Sequence, residues 1–181
     1  RWYGPNNAVV TVGGDVKTAE VVRLVEKYFG SIPKGQPVTA MKLPIPEINK
    51  DRHVSMKDGY AKLPQLRMVF ATPGHFTKDE VALDCLAEII GQGKNSILYK
   101  NLVKSQKAVS AMAYNSATEL AGEFVFTVTP FPGQKLSDME KELRAAMAEF
   151  EKRGVTDDDI TKFRSQVEAQ TIKGLESVSG K

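Results

Sequence analysis

Four prolines lie close together in the first third of the chain, and they limit what it can fold into more strongly than any other feature. They are Pro33, Pro37, Pro44 and Pro46. A proline has no amide hydrogen and a fixed φ, so neither a helix nor a central strand runs through such a segment. We therefore predict an extended linker over residues 32–50, a short unit over residues 1–31 and a main domain over residues 51–181.

The short unit reads as one strand followed by one helix. Asn7–Val12 is a β-branched run that ends at Gly13-Gly14, which is typical of a buried strand entering a turn. The next segment has apolar residues at helical spacing, namely Val21, Leu24, Val25 and Tyr28. Residues 1–31 are thus a β-α unit, which is too small to enclose a core by itself.

The main domain groups its elements in pairs. Two strands come first, at 53–56 and 66–71, and two helices follow, the first opened by a capping box of Thr77 and Glu80. A second pair of strands covers 109–114 and 124–129, and two more helices are opened by Ser137 with Glu140 and by Thr156 with Asp159. Grouped hairpins and helix pairs predict the α+β class, with an antiparallel-rich sheet and helices packed on one face.

Composition excludes several classes of protein. Hydrophobic residues make up 41% and charged residues 26% of the 181, which is typical of a globular domain. The net charge of +3 is dispersed without a basic run, so we predict no nucleic-acid partner. Apolar stretches are too short for a membrane span. The single cysteine, Cys85, forms no intramolecular disulfide, and its apolar surroundings indicate a buried thiol.

Ligands for a catalytic metal are missing from the sequence. The only histidines, His53 and His75, are far apart, and neither has a His or Glu partner at the spacing of an H-E-x-x-H or H-x-x-E-H helix. The glycine-rich segment 91–96 lacks the frame of a phosphate-binding loop. The acidic run Asp157–Asp159 lacks EF-hand spacing and is better explained as a helix start. We therefore predict neither catalytic residues nor a metal site.

Two stretches nevertheless resemble a known family. Trp2–Asp15, with Tyr28-Phe29-Gly30-Ser31-Ile32-Pro33 after it, is similar to the "Y-x-P-N-N … V-x-G-D … Y-F-G-x-I-P" pattern of insulinase/pitrilysin-type zinc peptidases. Gly91–Val103 is similar to their "G-G-x-x-S-R-L-Y-x-x-L-R" helix. The resemblance covers about Trp2 to Leu175, with several motifs in the same order.

The resemblance implies where the chemistry of the parent protein lies. In this family each half-molecule has two similar α+β domains, and the zinc motif belongs to the first. The chain would then hold the last strand and helix of a first domain, the linker and most of a second domain, with the zinc ligands upstream. Val103 and Ser110 stand where some relatives place an Arg and a Tyr that contact substrate. The resemblance suggests weak substrate or interface contacts at Gly91, Gly93, Ser96, Tyr99 and Ser110.

The function that this resemblance implies is a non-catalytic domain of a zinc metallopeptidase, forming chamber wall and half-to-half interface. Its partners would be the upstream zinc-binding domain, the other half of the peptidase and a peptide substrate. We expect the chain alone to be inactive and without zinc. The resemblance implies a periplasmic or otherwise exported location in a bacterium. The alternative is a catalytically inactive structural or partner-binding subunit of the same fold, and a nucleic-acid-binding sheet is a third class.

The resemblance also predicts a vacancy in the sheet. Both ends of the chain read as cut from a longer polypeptide, and the main domain lacks its own last β-α unit. The unit at 7–29 is equivalent to the missing one. We predict that it fills the vacant position, either within one chain or by exchange between two copies in a strand-swapped homodimer, because an edge rich in valine would otherwise stay exposed.

Overall fold

The structure is a computed structural model that describes residues 2–39, 44, 47–177 and 180. Two compact units divide the chain: Lys42–Arg164 forms the larger one, and Arg1–Met41 together with Ser165–Lys181 forms the smaller one. No helix among the described residues is long and apolar enough to cross a membrane.

A three-stranded antiparallel sheet organises the larger unit. The strands are β1 (Leu66–Thr72), β2 (Ala108–Ala117) and β3 (Gly122–Pro130), in the order β1-β3-β2. In the register, Met68 stands opposite Phe126 and Phe126 opposite Ala113. This places β1 and β2 at the two edges. The predicted strands at 66–71, 109–114 and 124–129 are confirmed, each extended by one or more residues.

Helices cover one face of this sheet, as the pairing of elements predicted. They are α2 (Glu80–Gly91), a π-helical turn (Tyr99–Val103) and α3 (Leu136–Arg153), and α4 (Asp157–Gly174) begins in the same unit. Alternate strand residues meet the helices in one core, which includes Ala111, Ala113, Phe124, Phe126, Val128, Ile90, Leu98, Leu102, Met139, Leu143 and Ala146. Leu98, Leu102 and Leu143 are fully buried, and each contributes about 2 kcal/mol by leaving water.

Helix starts follow the sequence only in part. At α4 the predicted cap is confirmed: the Asp159 amide donates to the Thr156 hydroxyl at 3.2 Å, and the Thr156 amide donates to the Asp159 carboxylate at 3.0 Å. The box predicted at Ser137 and Glu140 is wrong, since α3 begins at Leu136 without a side-chain cap. The Glu140 carboxylate accepts from Arg144 instead.

The smaller unit contains helix α1 (Thr18–Phe29), which confirms the predicted helix, and the end of α4. The side chain of Asn6 joins the amino-terminal loop to residues 35 and 36: Oδ1 of Asn6 accepts from the Gly35 amide at 2.8 Å, and Nδ2 donates to the Gln36 carbonyl at 3.2 Å. None of the residues of α1 is buried, but Val21, Leu24 and Val25 of its apolar stripe are partly covered.

Two predicted strands are wrong. Residues 8–12 belong to no strand, and Val9, Val10 and Val12 are 92%, 54% and 50% exposed. Residues 53–56 are also unpaired, with Val54 and Met56 almost fully exposed. The physical reason is common to both, since a strand needs a neighbour that accepts its hydrogen bonds, and alternation in the sequence does not supply one. The unit at 7–29 therefore does not fill the sheet within its own chain. The division into residues 1–31, 32–50 and 51–181 stays a prediction.

Candidate functional site

A groove of about 580 Å³ opens beside the free edge of β1. It contacts every residue from Leu66 to Ala71. Successive residues of a strand point to opposite faces of its sheet, so a groove that meets all of them lies along the edge and not over one face. β1 is paired only with β3, and its outer backbone groups are therefore directed towards this groove.

The other walls of the groove come from the segment before β1 and from α3. Asp51, Arg52, His53, Val54 and Ile48 supply one wall, and Glu140 and Arg144 supply part of another. The Arg144 guanidinium lies 3.4 Å from the Asp51 carboxylate and 3.0 Å from that of Glu140. These contacts tie the segment to α3 while leaving the edge of β1 open.

Charge in the groove is largely balanced, and its strand side is mostly apolar. Arg144 is shared between two carboxylates, and the Arg67 guanidinium donates to Glu123 at 2.8 Å. Leu66, Met68 and Phe70 line the strand side on the face that carries the helix core. Arg52 lines the groove as well. The strand side therefore matches an extended ligand with apolar side chains on one of its faces.

The face of the sheet opposite the helices, here called the open face, is exposed along its edge strands and covered at its centre. Val69 of β1 and Met112 of β2 are 44% and 45% exposed there, and between them Val125 of the central strand is buried. Ser110 alternates with Ala111, a core residue, so it lies on this open face. Of the five predicted contact residues, Ser110 alone is placed here.

The other four predicted contact residues form one corner between α2 and the π-helical turn. Gly93 has φ of 73°, the Ser96 hydroxyl donates to the Gly93 carbonyl at 2.9 Å, and the Tyr99 amide donates to the Ser96 hydroxyl at 3.3 Å. Gly91 packs against the backbone of Ala113. These contacts account for the residue types by folding alone, and a contact with substrate or another domain stays a prediction.

Metal ligands are not assembled in the part of the chain that the structure describes, which has no group of three or more His, Cys, Asp or Glu side chains suited to an ion. His53 lines the groove, and His75 is hydrogen-bonded to Glu80. The residues present therefore do not fit the zinc centre of a metallopeptidase.

Sequence reasoning missed the groove residues Arg52, Phe70 and Arg144. Their signal was indirect: a vacancy in the sheet was predicted, but nothing in the sequence indicated which edge would be open. The order β1-β3-β2 leaves β1 and β2 as edges, and the groove lies along β1.

Known proteins match this chain over nearly its full length. Residues 1–167 match the family described as the peptidase M16 inactive domain. The zinc protease PqqE of Helicobacter pylori is 32% identical over 183 residues, which cover 98% of this chain and 41% of that protein. An uncharacterized zinc protease of Streptomyces coelicolor, SCO5738, is 28% identical over 97% of this chain and 39% of its own length. The chain thus spans about two fifths of the length of the curated relatives that it matches.

Solved structures agree with the sequence match. A protease from Helicobacter pylori superposes with a TM-score of 0.80 at 30% identity, over 98% of this chain and 44% of the other. A peptidase M16 inactive domain from Pseudomonas fluorescens superposes with a TM-score of 0.66 over 86% of this chain and 37% of the other, and at 13% identity it shows a shared fold alone. With the family matched over residues 1–167 and an α+β fold in common, this chain belongs to the peptidase M16 inactive-domain family.

Proposed function

We propose that this chain serves a zinc-dependent peptidase as its non-catalytic wall, with the open face of the sheet turned towards the peptide substrate. The observation that carries the proposal is the asymmetry of the sheet. One face is closed by helices, and the other presents Val69 and Met112 to solvent beside the half-buried Ser110. A surface that is mixed in polarity and has no catalytic group among its described residues suits the confinement of a peptide rather than its hydrolysis.

Zinc and the general base belong, in this proposal, to an upstream domain of the parent protein. Zinc there would polarise the scissile carbonyl and activate a water molecule. This chain's contribution is to bind and orient the peptide, since positioning alone can supply a large part of a rate enhancement. Its further partner is the other half of the peptidase, which would close the chamber.

The experiment compares two arginine substitutions in the full-length parent. Met112→Arg places a charge on the open face, whereas Val81→Arg places the same charge on α2, where Val81 is 65% exposed. We expect Met112→Arg to lower kcat/KM for peptide hydrolysis about tenfold and Val81→Arg to leave it unchanged. If both variants were equally active, with unchanged zinc content and circular dichroism, the proposed role of the open face as a wall for the peptide would be contradicted.

The chain by itself should neither hydrolyse peptides nor hold zinc. The measurement is metal analysis after dialysis, together with a peptidase assay of the purified chain. One tightly bound zinc per chain would overturn the assignment of the ligands to another domain.

A catalytically inactive structural subunit is the second candidate, and Val103 favours it. Val103 packs against the core at the position where the resemblance implies a substrate-binding Arg, so this chain offers no such cation there. The sequence upstream of Arg1 separates the two candidates, because an H-x-x-E-H helix supports the peptidase and its absence supports the structural subunit.

For the chain in isolation we also propose a second copy of itself as a partner. The unpaired valines at 8–12 and the open edge of β1 are each incomplete in a single chain, and such edges associate unless they are covered.

A further inference from the structure

We infer that the groove beside β1 receives residues Ala8–Val12 of a second copy of this chain as an added strand. This inference rests on the proposed association of two copies and names the surface that each copy offers. The donor is the exposed run 8–12, and the acceptor is the groove between β1 and the segment at 51–54.

Length favours this donor. Five residues of extended chain cover roughly 16 Å, and the edge from Leu66 to Ala71 offers about 20 Å at the same rise per residue. Ala8 is already extended, with φ −132° and ψ 146°. This first residue of the donor therefore already has the backbone conformation of a strand.

The alternation of side chains also matches. In an extended chain Ala8, Val10 and Val12 share one face, and the strand side of the groove carries Leu66, Met68 and Phe70 on one face. Aligning these two sets covers Phe70, which is 43% exposed, and covers Val10 and Val12, which are about half exposed. The donor segment Ala8-Val9-Val10-Thr11-Val12 has no charge, in keeping with the apolar strand side of the groove. Two of the three arginines that line the groove, Arg67 and Arg144, are ion-paired, and Arg52 is the third.

A second copy is a fitting source because each chain carries one donor and one acceptor. Within its own chain the run 8–12 pairs with none of the described strands. Reciprocal exchange between two copies gives a closed dimer in which both donors are paired, and exchange of an identical element is a low-cost route to such dimers.

The first test measures association. Sedimentation equilibrium of the purified chain should show a reversible dimer, and the double variant Val10→Lys with Val12→Lys should weaken it at least about tenfold. The matched control is Val22→Lys on α1, because Val22 is 49% exposed and Val12 is 50% exposed. The assignment of residues 8–12 as the donor would be overturned if the dimer survived the double variant, or if Val22→Lys weakened the dimer equally.

The second test locates the acceptor. In a Cys85→Ala background, copies that carry Val10→Cys under one affinity tag are mixed with copies that carry Phe70→Cys under another. Cα atoms of directly opposed strand residues lie about 4.5–5.5 Å apart, which is within reach of a disulfide. Met68→Cys is tested in parallel because it is one step along the same face, and Met112→Cys on β2 is the control at the other edge of the sheet.

The outcomes distinguish the inference from the proposals on which it rests. A disulfide between the two tags at 68 or 70, but not at 112, supports the groove. If the cysteine at position 112 is cross-linked and those at positions 68 and 70 are not, two copies do associate, but the groove is not the site of their contact. A Val10→Cys, Phe70→Cys chain that closes its disulfide as a monomer makes the chain itself the occupant and overturns the second copy. None of these results alters the expected effect of Met112→Arg on the parent peptidase.

Discussion

Gly91, the last residue of α2, lies directly against the backbone of Ala113 in β2. A Cβ atom on Gly91 would stand 1.9 Å from the Ala113 nitrogen and 2.5 Å from its Cβ. Ala113 is 1% exposed and is paired with Phe126 in the central strand, so it has no room to withdraw. The helix and the strand therefore meet at a distance that only glycine allows.

Replacing Gly91 by alanine should destabilise the larger unit. We expect Gly91→Ala to lower its free energy of unfolding by about 3 kcal/mol, because the new methyl group forces α2 away from the sheet. Urea denaturation followed by far-ultraviolet circular dichroism measures this change. At Gly174, by contrast, an added Cβ meets nothing within 4 Å, so Gly174→Ala should change stability by less than about 1 kcal/mol. Similar losses in both variants would contradict the close contact.

Phe76 holds a backbone conformation that glycine would adopt more easily. Its φ is 62° and its side chain is 98% exposed, so the ring contributes little packing to offset the strain. We expect Phe76→Gly to raise the free energy of unfolding by about 1 kcal/mol. Phe76→Val should lower it instead, because a β-branched residue rarely occupies this region. The sign of the difference between these two variants tests the conformation.

The carboxylate of Glu80 is hydrogen-bonded to the loop that contains Phe76, and this contact depends on pH. Its hydrogen bonds, first with His75 and then from the Phe76 amide, lower the pKa of Glu80 from its ordinary value. A lowered pKa means that the contact is fully present above the ordinary Glu pKa of about 4.3 and is lost as pH falls through the folded-state value. The Phe76 amide resonance should therefore titrate below that pH. His75→Ala should move its midpoint upward, and an unmoved midpoint would contradict the role of His75.

How far the sequence predicts this fold depends on where the partner of each element lies. The capping box of Thr156 and Asp159 forms at the start of helix α4 as predicted. Its two residues lie only three apart in the sequence, so the pattern needs no distant partner. At Thr77 the same pattern misled: its hydroxyl donates to the Gly74 carbonyl, and Glu80 instead accepts from the Phe76 amide. Thr77 therefore has the capping-box spacing from Glu80, but its hydroxyl is bonded to the preceding turn and does not cap α2.

Whether a predicted strand forms also depends on where its partner lies, and that partner is far away in the sequence. The run at 8–12 is richer in β-branched residues than β3, yet β3 lies between two neighbours while 8–12 pairs with none of the described strands. The groove between Arg52 and Phe70 could not be predicted from the sequence. Its position depends on which strands pair in the folded chain, and no local pattern specifies that pairing. Family membership was confirmed, whereas the contact roles of Gly91, Gly93, Ser96, Tyr99 and Ser110, and the exported location, stay predictions.

The cap at the start of α4 offers a matched pair of threonines. Thr156→Ala removes the hydroxyl that accepts from the Asp159 amide and should cost about 1 kcal/mol. Thr161 lies inside the same helix, where its hydroxyl only donates back to the Asp157 carbonyl. Thr161→Ala should therefore be neutral or slightly stabilising. Urea denaturation of both variants gives the comparison, and a larger loss at Thr161 would contradict the cap.

Asp159 adds a pH dependence to this cap. Burial alone raises the pKa of its carboxyl, but the hydrogen bonds from Thr156 and Arg153 outweigh burial and leave the pKa below the ordinary value. Its contribution to stability is therefore present above the unfolded Asp pKa of about 3.9 and is lost as pH falls through the folded-state pKa. Asp159→Asn should flatten the acid limb of the stability curve, and an unchanged limb would contradict this assignment.

Cys85 should be chemically inert while the protein is folded. Its side chain lies in α2 at 9% exposure, and burial, followed by the charges of Asp159 and Glu88, raises the pKa of its thiol. The thiolate is the reactive form, so a raised pKa and a closed site both slow alkylation. We expect Cys85 to react with iodoacetamide at a rate set by opening of the fold, and stability to fall as pH rises above the unfolded thiol pKa of about 8.5. In a Cys85→Ala chain, Ser105→Cys at an exposed position supplies the fast reference. Equal rates at the two positions in the native protein would show that the thiol is accessible and would overturn its structural role.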